Sequence, residues 1–155
     1  MRNDSVKIEP LTGHIGAEIQ GIDLREPLED ESYATIHGAL MEHLVVFFRD
    51  QELSPDQHVA FGRLFGELHI HPSAPCVDDR PELMNIHADG SSPFAEGTNW
   101  HTDVSCDAEP PMGSVLHLTT VPTAGGDTLF ASMNAAYDAL LSFLLQHLAN
   151  PEFQC

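Results

Sequence analysis

"GSVLHLTTVPTAGGDTLFAS", residues 113–132, contains two short apolar runs separated by a glycine-rich turn. "GSVLHLTTV" (113–121) and "DTLFAS" (127–132) have the length and β-branched content of strands. In the "TAGGD" between them, Gly125 and Gly126 permit positive φ and Asp127 can bond its own backbone. Thr128 then begins the second strand with a hydroxyl donor. Further upstream, "ELMNIHA" (82–88) suits another short strand, and Pro72, Pro75, Pro81, Pro93, Pro110 and Pro111 punctuate the segment after Gly66. Short strands joined by tight turns predict an antiparallel barrel or jelly roll. A jelly roll uses about eight strands, and only a few are legible after residue 81. The barrel is therefore expected to be incomplete, with open sheet edges that favour association into a homo-oligomer.

The first half reads differently. "VKIEPL" and "GHIGAEIQ" predict strands, with Gly13, Gly16 and Gly21 at turns or bulges. From Asp30 to Leu44, Tyr33, Ile36, Leu40 and Leu44 recur at helical spacing behind an acidic first turn. "LVVFF", 44–48, suits a buried strand. "SPDQHVAFGRLFG" predicts a helix with Ser54 as N-cap and Pro55 at its first position, closing near Gly66. A last helix is expected to start with Ser132 as N-cap and run through "MNAAYDALLSFLLQHLA", its part "ALLSFLLQHL" buried because it is apolar on nearly every side. The fold class is α+β: one domain over 1–155, with N-terminal strands and helices in 1–80 and the first part of a jelly roll plus a helix in 81–155.

The length of 155 residues suits one domain. No apolar run reaches the ~18–20 residues of a membrane span, and "MRNDSVKIEP" lacks the apolar stretch of a signal peptide. A soluble, cytoplasmic protein without a membrane partner is expected. With 24 acidic and 6 basic residues the formal charge is −18, a surface that repels phosphate backbones and argues against nucleic acid. The basic residues are Arg2, Lys7, Arg25, Arg49, Arg63 and Arg80, and none follows Arg80. An anion bound by the second half must find its positive partner in a metal, a helix N-terminus or residues outside this chain. Cys76, Cys106 and Cys155 are odd in number and widely spaced, which fits reduced, mostly buried thiols better than a disulfide framework or a zinc cluster.

Chemistry enters at "NWHTDV", 99–104. If this stretch is extended, His101 and Asp103 at i and i+2 share a face. Imidazole plus carboxylate suits Fe(II), Mn(II) or Zn(II), but the pair is equally an ordinary polar pair near a turn. A 2-His-1-carboxylate triad needs one more histidine. His69 and His71 in "ELHIHP" repeat the spacing, either as polar residues entering a Pro-rich loop or as substrate-facing groups. His117 reads as a satisfied sheet histidine. His14, His37, His43, His58, His87 and His147 carry no spacing signal and are expected on surfaces or helix faces.

Taken in order, "VVFFRDQELSPDQ", "FGELHIHP", "NWHTDV", "PP" before an alternating strand, "GGDT" and "AAYDAL" resemble the taurine dioxygenase family of Fe(II)- and 2-oxoglutarate-dependent oxygenases over roughly residues 5–140. The resemblance implies a double-stranded β-helix, with His101 and Asp103 as metal ligands. It puts Thr128 at the hydroxyl that bonds a carboxylate of 2-oxoglutarate, and His71 at a contact to the substrate's acidic group. Asn99 and Trp100 match the residues leading into the metal strand, Asn99 on the substrate side. Fe(II), 2-oxoglutarate as cosubstrate and O2 are implied. So is hydroxylation of a small acidic, sulfonate-like substrate with release of succinate and CO2.

The departures are as specific. Taurine-specific members carry a tyrosine where this chain has Ala74 and an asparagine where it has Gly97. Another sulfonate, a sulfate ester or another small acid therefore fits at least as well as taurine. The family's distal histidine and its 2-oxoglutarate-binding arginine have no counterpart here. The alternative expectation is thus a catalytically inactive, truncated form. A third possibility is that His117 or His71 completes an improvised hydrolase-type metal site.

Overall fold

The computed structural model describes residues 6–71, 76, 77, 80–92, 97, 99–140 and 144. The chain divides into two compact units, one of Met1–Asp23, Leu28–Asp50 and Pro122–Cys155, the other of Leu24–Pro27 and Gln51–Val121.

In the first unit, β1 (Lys7–Pro10) pairs antiparallel with β2 (Ala17–Gln20), from Lys7 opposite Gln20 to Pro10 opposite Ala17. Between them Thr12 organises the turn, its Oγ1 accepting from Ile15 N and donating to Ile15 O. The chain then forms α1 (Asp30–His43) and returns as β3 (Val46–Phe47), parallel to β2. A helix between two parallel neighbours is the usual way to make that crossover. Alternation on β2 puts Ala17 and Ile19 inside, where α1 packs on the sheet with Ile36 and Ala39 buried. The helix expected over 30–44 thus forms one residue shorter. Leu44 itself takes a left-handed conformation at φ 66° and donates its N–H to Leu40 O, ending α1 and turning the chain into β3.

In the second unit, α2 (Pro55–Arg63) begins as expected at Ser54. Ser54 Oγ accepts from Gln57 N while Gln57 Oε1 accepts from Ser54 N, a reciprocal capping box worth about 1 kcal/mol. Val59 and Phe61 are buried, and Phe61 meets Phe65 edge-on at 5.4 Å. Leu24, also buried, is tied in by its N–H to Gln51 Oε1 at 2.8 Å. The hairpin of β4 (Cys76–Val77) and β5 (Arg80–Met84) packs on α2. Two ion pairs hold it there: Arg63 Nη2 donates to Glu82 Oε1 at 2.9 Å, and Arg80 Nε to Asp56 Oδ1 at 3.0 Å. Each pair has one well-exposed partner, Arg63 in the first and Asp56 in the second, so they set register more than they add stability.

The strands expected over 113–121 and 127–132 do not form, and no barrel is closed among the described residues. Leu116, Leu118 and Val121 are 58%, 60% and 64% exposed and Leu129 70%, and these runs have no ladder partner among the described residues. Strand propensity expresses fit to a half-buried pleated sheet, and an unpaired segment gains nothing from it. The glycine turn is nevertheless as expected. Gly125 and Gly126 sit at φ 76° and 72°, and a Cβ on Gly126 would meet Pro122 Cγ at 3.0 Å. Phe130 packs edge-on against Phe47 at 5.8 Å. Ser132 caps α3 (Met133–Asp138), its Oγ accepting from Ala135 N. α3 ends at Ala139, and Leu144, further along the expected helix, is again helical but 40% exposed, against the expectation of burial there. Residues 141–143 and 145–155, where that expected helix continues, lie outside the described residues. No helix among those described is long and apolar enough to cross a membrane.

Candidate functional site

The second unit carries the chemistry-bearing pair. His101 and Asp103 lie side by side, Nε2 to Oδ1 3.3 Å, but not on a strand. Residues 103–106 form a turn, closed by Asp107 N–H to Val104 O at 3.2 Å and by the Thr102 and Ser105 hydroxyls at 2.6 Å. The expected juxtaposition is present and the expected extended backbone is not, because no described strand runs alongside to hold it flat. Val104 pays the conformational cost. Its φ of 50° is left-handed, a region that a β-branched side chain enters at about 1–3 kcal/mol. Val104→Gly should therefore leave the melting temperature unchanged or raise it, since relief of strain outweighs the ~0.4–1 kcal/mol of added chain entropy. A fall of several degrees would contradict the strain.

Two hydrogen bonds orient the pair. His101 Nδ1–H donates to the Asn99 carbonyl at 2.8 Å, which selects the tautomer with a free Nε2 lone pair. Ser114 Oγ–H donates to Asp103 Oδ2 at 2.7 Å, leaving Oδ1 facing Nε2. Ligands at about 2.0–2.2 Å from a metal in adjacent positions stand roughly 3 Å apart. The 3.3 Å separation of Nε2 and Oδ1 is within a small rotation of that bite. Both side chains are about half exposed, at 56% and 54%, so a cation can reach them. The donor set thus fits two adjacent positions of a borderline-hard divalent ion. Among the described residues no third His, Cys, Asp or Glu joins them.

That absence disposes of the improvised site. His117 Nε2–H donates to Gln51 O at 3.0 Å, satisfied as expected, though by a loop carbonyl and not within a sheet. His71 is exposed, its ring 6.4 Å from that of His69, and His69 Nδ1 is 3.9 Å from Asp107 Oδ2. Neither His71 nor His117 completes the pair at 101 and 103. Asn99 takes part through its backbone, and Trp100 is 70% exposed. Thr128 is exposed and belongs to the first unit. Gly97, at φ 79°, lies next to the candidate ligand: a Cβ there would stand 3.5 Å from His101 Cε1. Ala74 lies outside the described residues. Cys106 is exposed, against the expectation of buried thiols, because it falls in the 103–106 turn. Ser114 is the contributor that pattern reading missed. It stands eleven positions from its partner, across Pro110 and Pro111, where no periodicity connects them.

One of the histidines expected on surfaces or helix faces lies on a helix face and is half-buried. His58, on α2, donates from Nε2 to Val115 O at 3.0 Å and its ring meets that of His117 at 5.8 Å. Burial, with a smaller contribution from His117, holds its pKa below the ordinary 6.5, against the Val115 bond that favours the charged form. A depressed folded pKa means the unfolded chain takes up its proton first. The stabilisation is thus complete above pH 6.5 and lost as pH falls through the lower folded value. Thermal melts between pH 8 and 5 should fall less steeply for His58→Gln than for the natural chain; parallel curves would remove His58 from the account.

Residues 7–151 match the profile of the Taurine catabolism dioxygenase TauD, TfdA family. The chain is 37% identical over 142 residues to the alkylsulfatase of Acinetobacter baylyi, covering 91% of this chain and 44% of that protein. It is 38% identical over 134 residues to an alpha-ketoglutarate-dependent sulfate ester dioxygenase of Pseudomonas putida, covering 86% and 44%. A crystal structure described as a putative alpha-ketoglutarate-dependent taurine dioxygenase from Burkholderia xenovorans superposes with a TM-score of 0.80 at 40% identity, over 92% of this chain and 52% of that one. The chain spans less than half the length of the first two relatives and about half of the third.

Proposed function

From a chain that belongs to the Taurine catabolism dioxygenase TauD, TfdA family, we propose that it serves an Fe(II)- and 2-oxoglutarate-dependent dioxygenase, within the family's jelly-roll domain, whose substrate is a small sulfonate or sulfate ester. The observation that carries this is the bite of His101 Nε2 and Asp103 Oδ1 at 3.3 Å, with the histidine tautomer set by Asn99 O. The two side chains would hold iron, and bound iron with 2-oxoglutarate and O2 supplies the oxidising power for C–H hydroxylation. The protein's own residues hold the ligand atoms in place: the Asn99 carbonyl engages Nδ1–H and leaves the Nε2 lone pair as the ligand atom. Thr128 bonds a carboxylate of 2-oxoglutarate and His71 the acidic group of the substrate, with Asn99 on the same side.

The sulfate ester is favoured over taurine by the relatives named for sulfate esters and by Gly97. With no side chain at 97, the space beside His101 Cε1 is left to the substrate. The charge of −18 argues against nucleic acid as partner and leaves recognition of an anionic substrate to local donors and the metal.

The second reading, a chain inactive by itself, is favoured by the lack of a third donor in reach of the pair among the described residues. Anaerobic addition of Fe(II) and 2-oxoglutarate separates the two. The dioxygenase reading expects the weak visible charge-transfer band of the chelate, and succinate with released sulfate or sulfite once O2 and an alkyl sulfate or sulfonate are admitted. The band without succinate assigns metal binding but not turnover to these residues. Loss of both leaves the inactive chain.

A further inference from the structure

We infer that Ser114 is a positioning residue for Asp103, an inference that rests on the metal-binding reading of His101 and Asp103. A carboxylate turns readily about its last torsion, where the energy profile is broad and two-fold. Asp103 is 54% exposed at the head of a turn, so its own packing does not choose which oxygen faces His101. Ser114 does. Its Oγ is 2.7 Å from Oδ2, and an ionised carboxylate only accepts, so the serine must donate. That distance lies in the range of charge-assisted O–H···O bonds. With Oδ2 engaged, Oδ1 is left 3.3 Å from His101 Nε2, the oxygen that shares the bite.

The two orienting bonds are complementary. The Asn99 carbonyl sets the imidazole from the preceding segment, and Ser114 sets the carboxylate from eleven positions further on. Each ligand thus has one atom held by the protein and the other free to bind. Orientation in the metal-free chain lowers the entropy that the side chain loses on coordination. Water can replace part of the serine's role at this exposure, which places the expected effect at the low end of the outer-shell range.

The test uses the whole 155-residue chain and Mn(II) followed by EPR in the presence of 2-oxoglutarate, with metal-free melting temperatures beside it. Ser114→Ala should raise the Kd for Mn(II) about tenfold with the metal-free melt unchanged, and Ser114→Thr, which keeps the hydroxyl, should restore it to within about twofold. Asp103→Ala should abolish binding. If Ser114→Ala binds as the natural chain does while Asp103→Ala does not, the positioning role fails and the metal reading stands. Failure of threonine to rescue, or a lowered metal-free melt in Ser114→Ala, overturns the role as well. If the natural chain binds no Mn(II), or Asp103→Ala binds equally well, the metal reading falls and takes the inference with it.

Discussion

Asp103→Asn should raise the Kd for Mn(II) on the order of 100-fold or more, which for a site with so few protein donors reads as loss of detectable binding. The substitution is chosen because it preserves shape. An amide oxygen can still accept from the Ser114 hydroxyl at the 2.7 Å contact, and neither volume nor backbone changes at 103. What disappears is the anion, and a hard or borderline cation depends on that charge for much of its attraction to a carboxylate. His101→Ala should do the same by removing the other donor atom of the 3.3 Å pair. His117→Ala serves as the contrast: its Nε2 is committed to Gln51 O, so Mn(II) affinity should not move. Equal binding by the natural chain and Asp103→Asn in the EPR titration would mean the pair is an ordinary polar contact in a turn.

That contact illustrates how unevenly the molecule was legible. The motif "NWHTDV" named both residues, and the structure brings their donor atoms together. The route by which it does so was not legible. Pattern reading took i and i+2 as strand geometry, whereas a turn with Val104 at φ 50° produces the juxtaposition. A left-handed valine has no sequence signature, since propensity argues against it. Leu44 is the same kind of case at the end of α1, where a glycine would have announced the cap. Ser54 shows the opposite: serine, proline and glutamine at fixed offsets specify a local capping box that needs nothing from the rest of the chain.

The second half departs from its sequence pattern for a related physical reason. "GSVLHLTTV" and "DTLFAS" have strand composition, but a strand exists only beside another strand, and pairing is a non-local property. Gly125 and Gly126 are legible because positive φ is local. Leu116, Leu118 and Leu129 are exposed because what strands require is not adjacent to them among the described residues. The same division explains the site. Donor identity and the histidine tautomer arise from neighbours in sequence, whereas Ser114 arrives from a distant segment and left no trace in any spacing.

Ile36→Ala should be among the most destabilising single changes in the first unit, at about 2–5 kcal/mol and in the upper half of that range. Ile36 is 0% exposed, the large side chain buried completely on α1 where it packs against β2 and β3. The other buried side chains of this unit explain why the cost is high. Ala17 and Ala39 have no side-chain length with which to fill the void, and Ile19 is held in register by the ladder opposite Ile8. A cavity that cannot collapse retains its full penalty. Met41 on the same helix is 52% exposed, so Met41→Ala should lie within about 0.5 kcal/mol of the natural chain. Ile36→Val, which removes one methyl group, should fall between them at about 0.5–1.5 kcal/mol. Chemical denaturation of the three variants checks the order. A cost below about 1 kcal/mol for Ile36→Ala, or one no greater than for Met41→Ala, would show that α1 is not seated on the sheet through Ile36. The helix would then owe its position to the hydrogen bond at its end, from Gly16 N–H to His43 O.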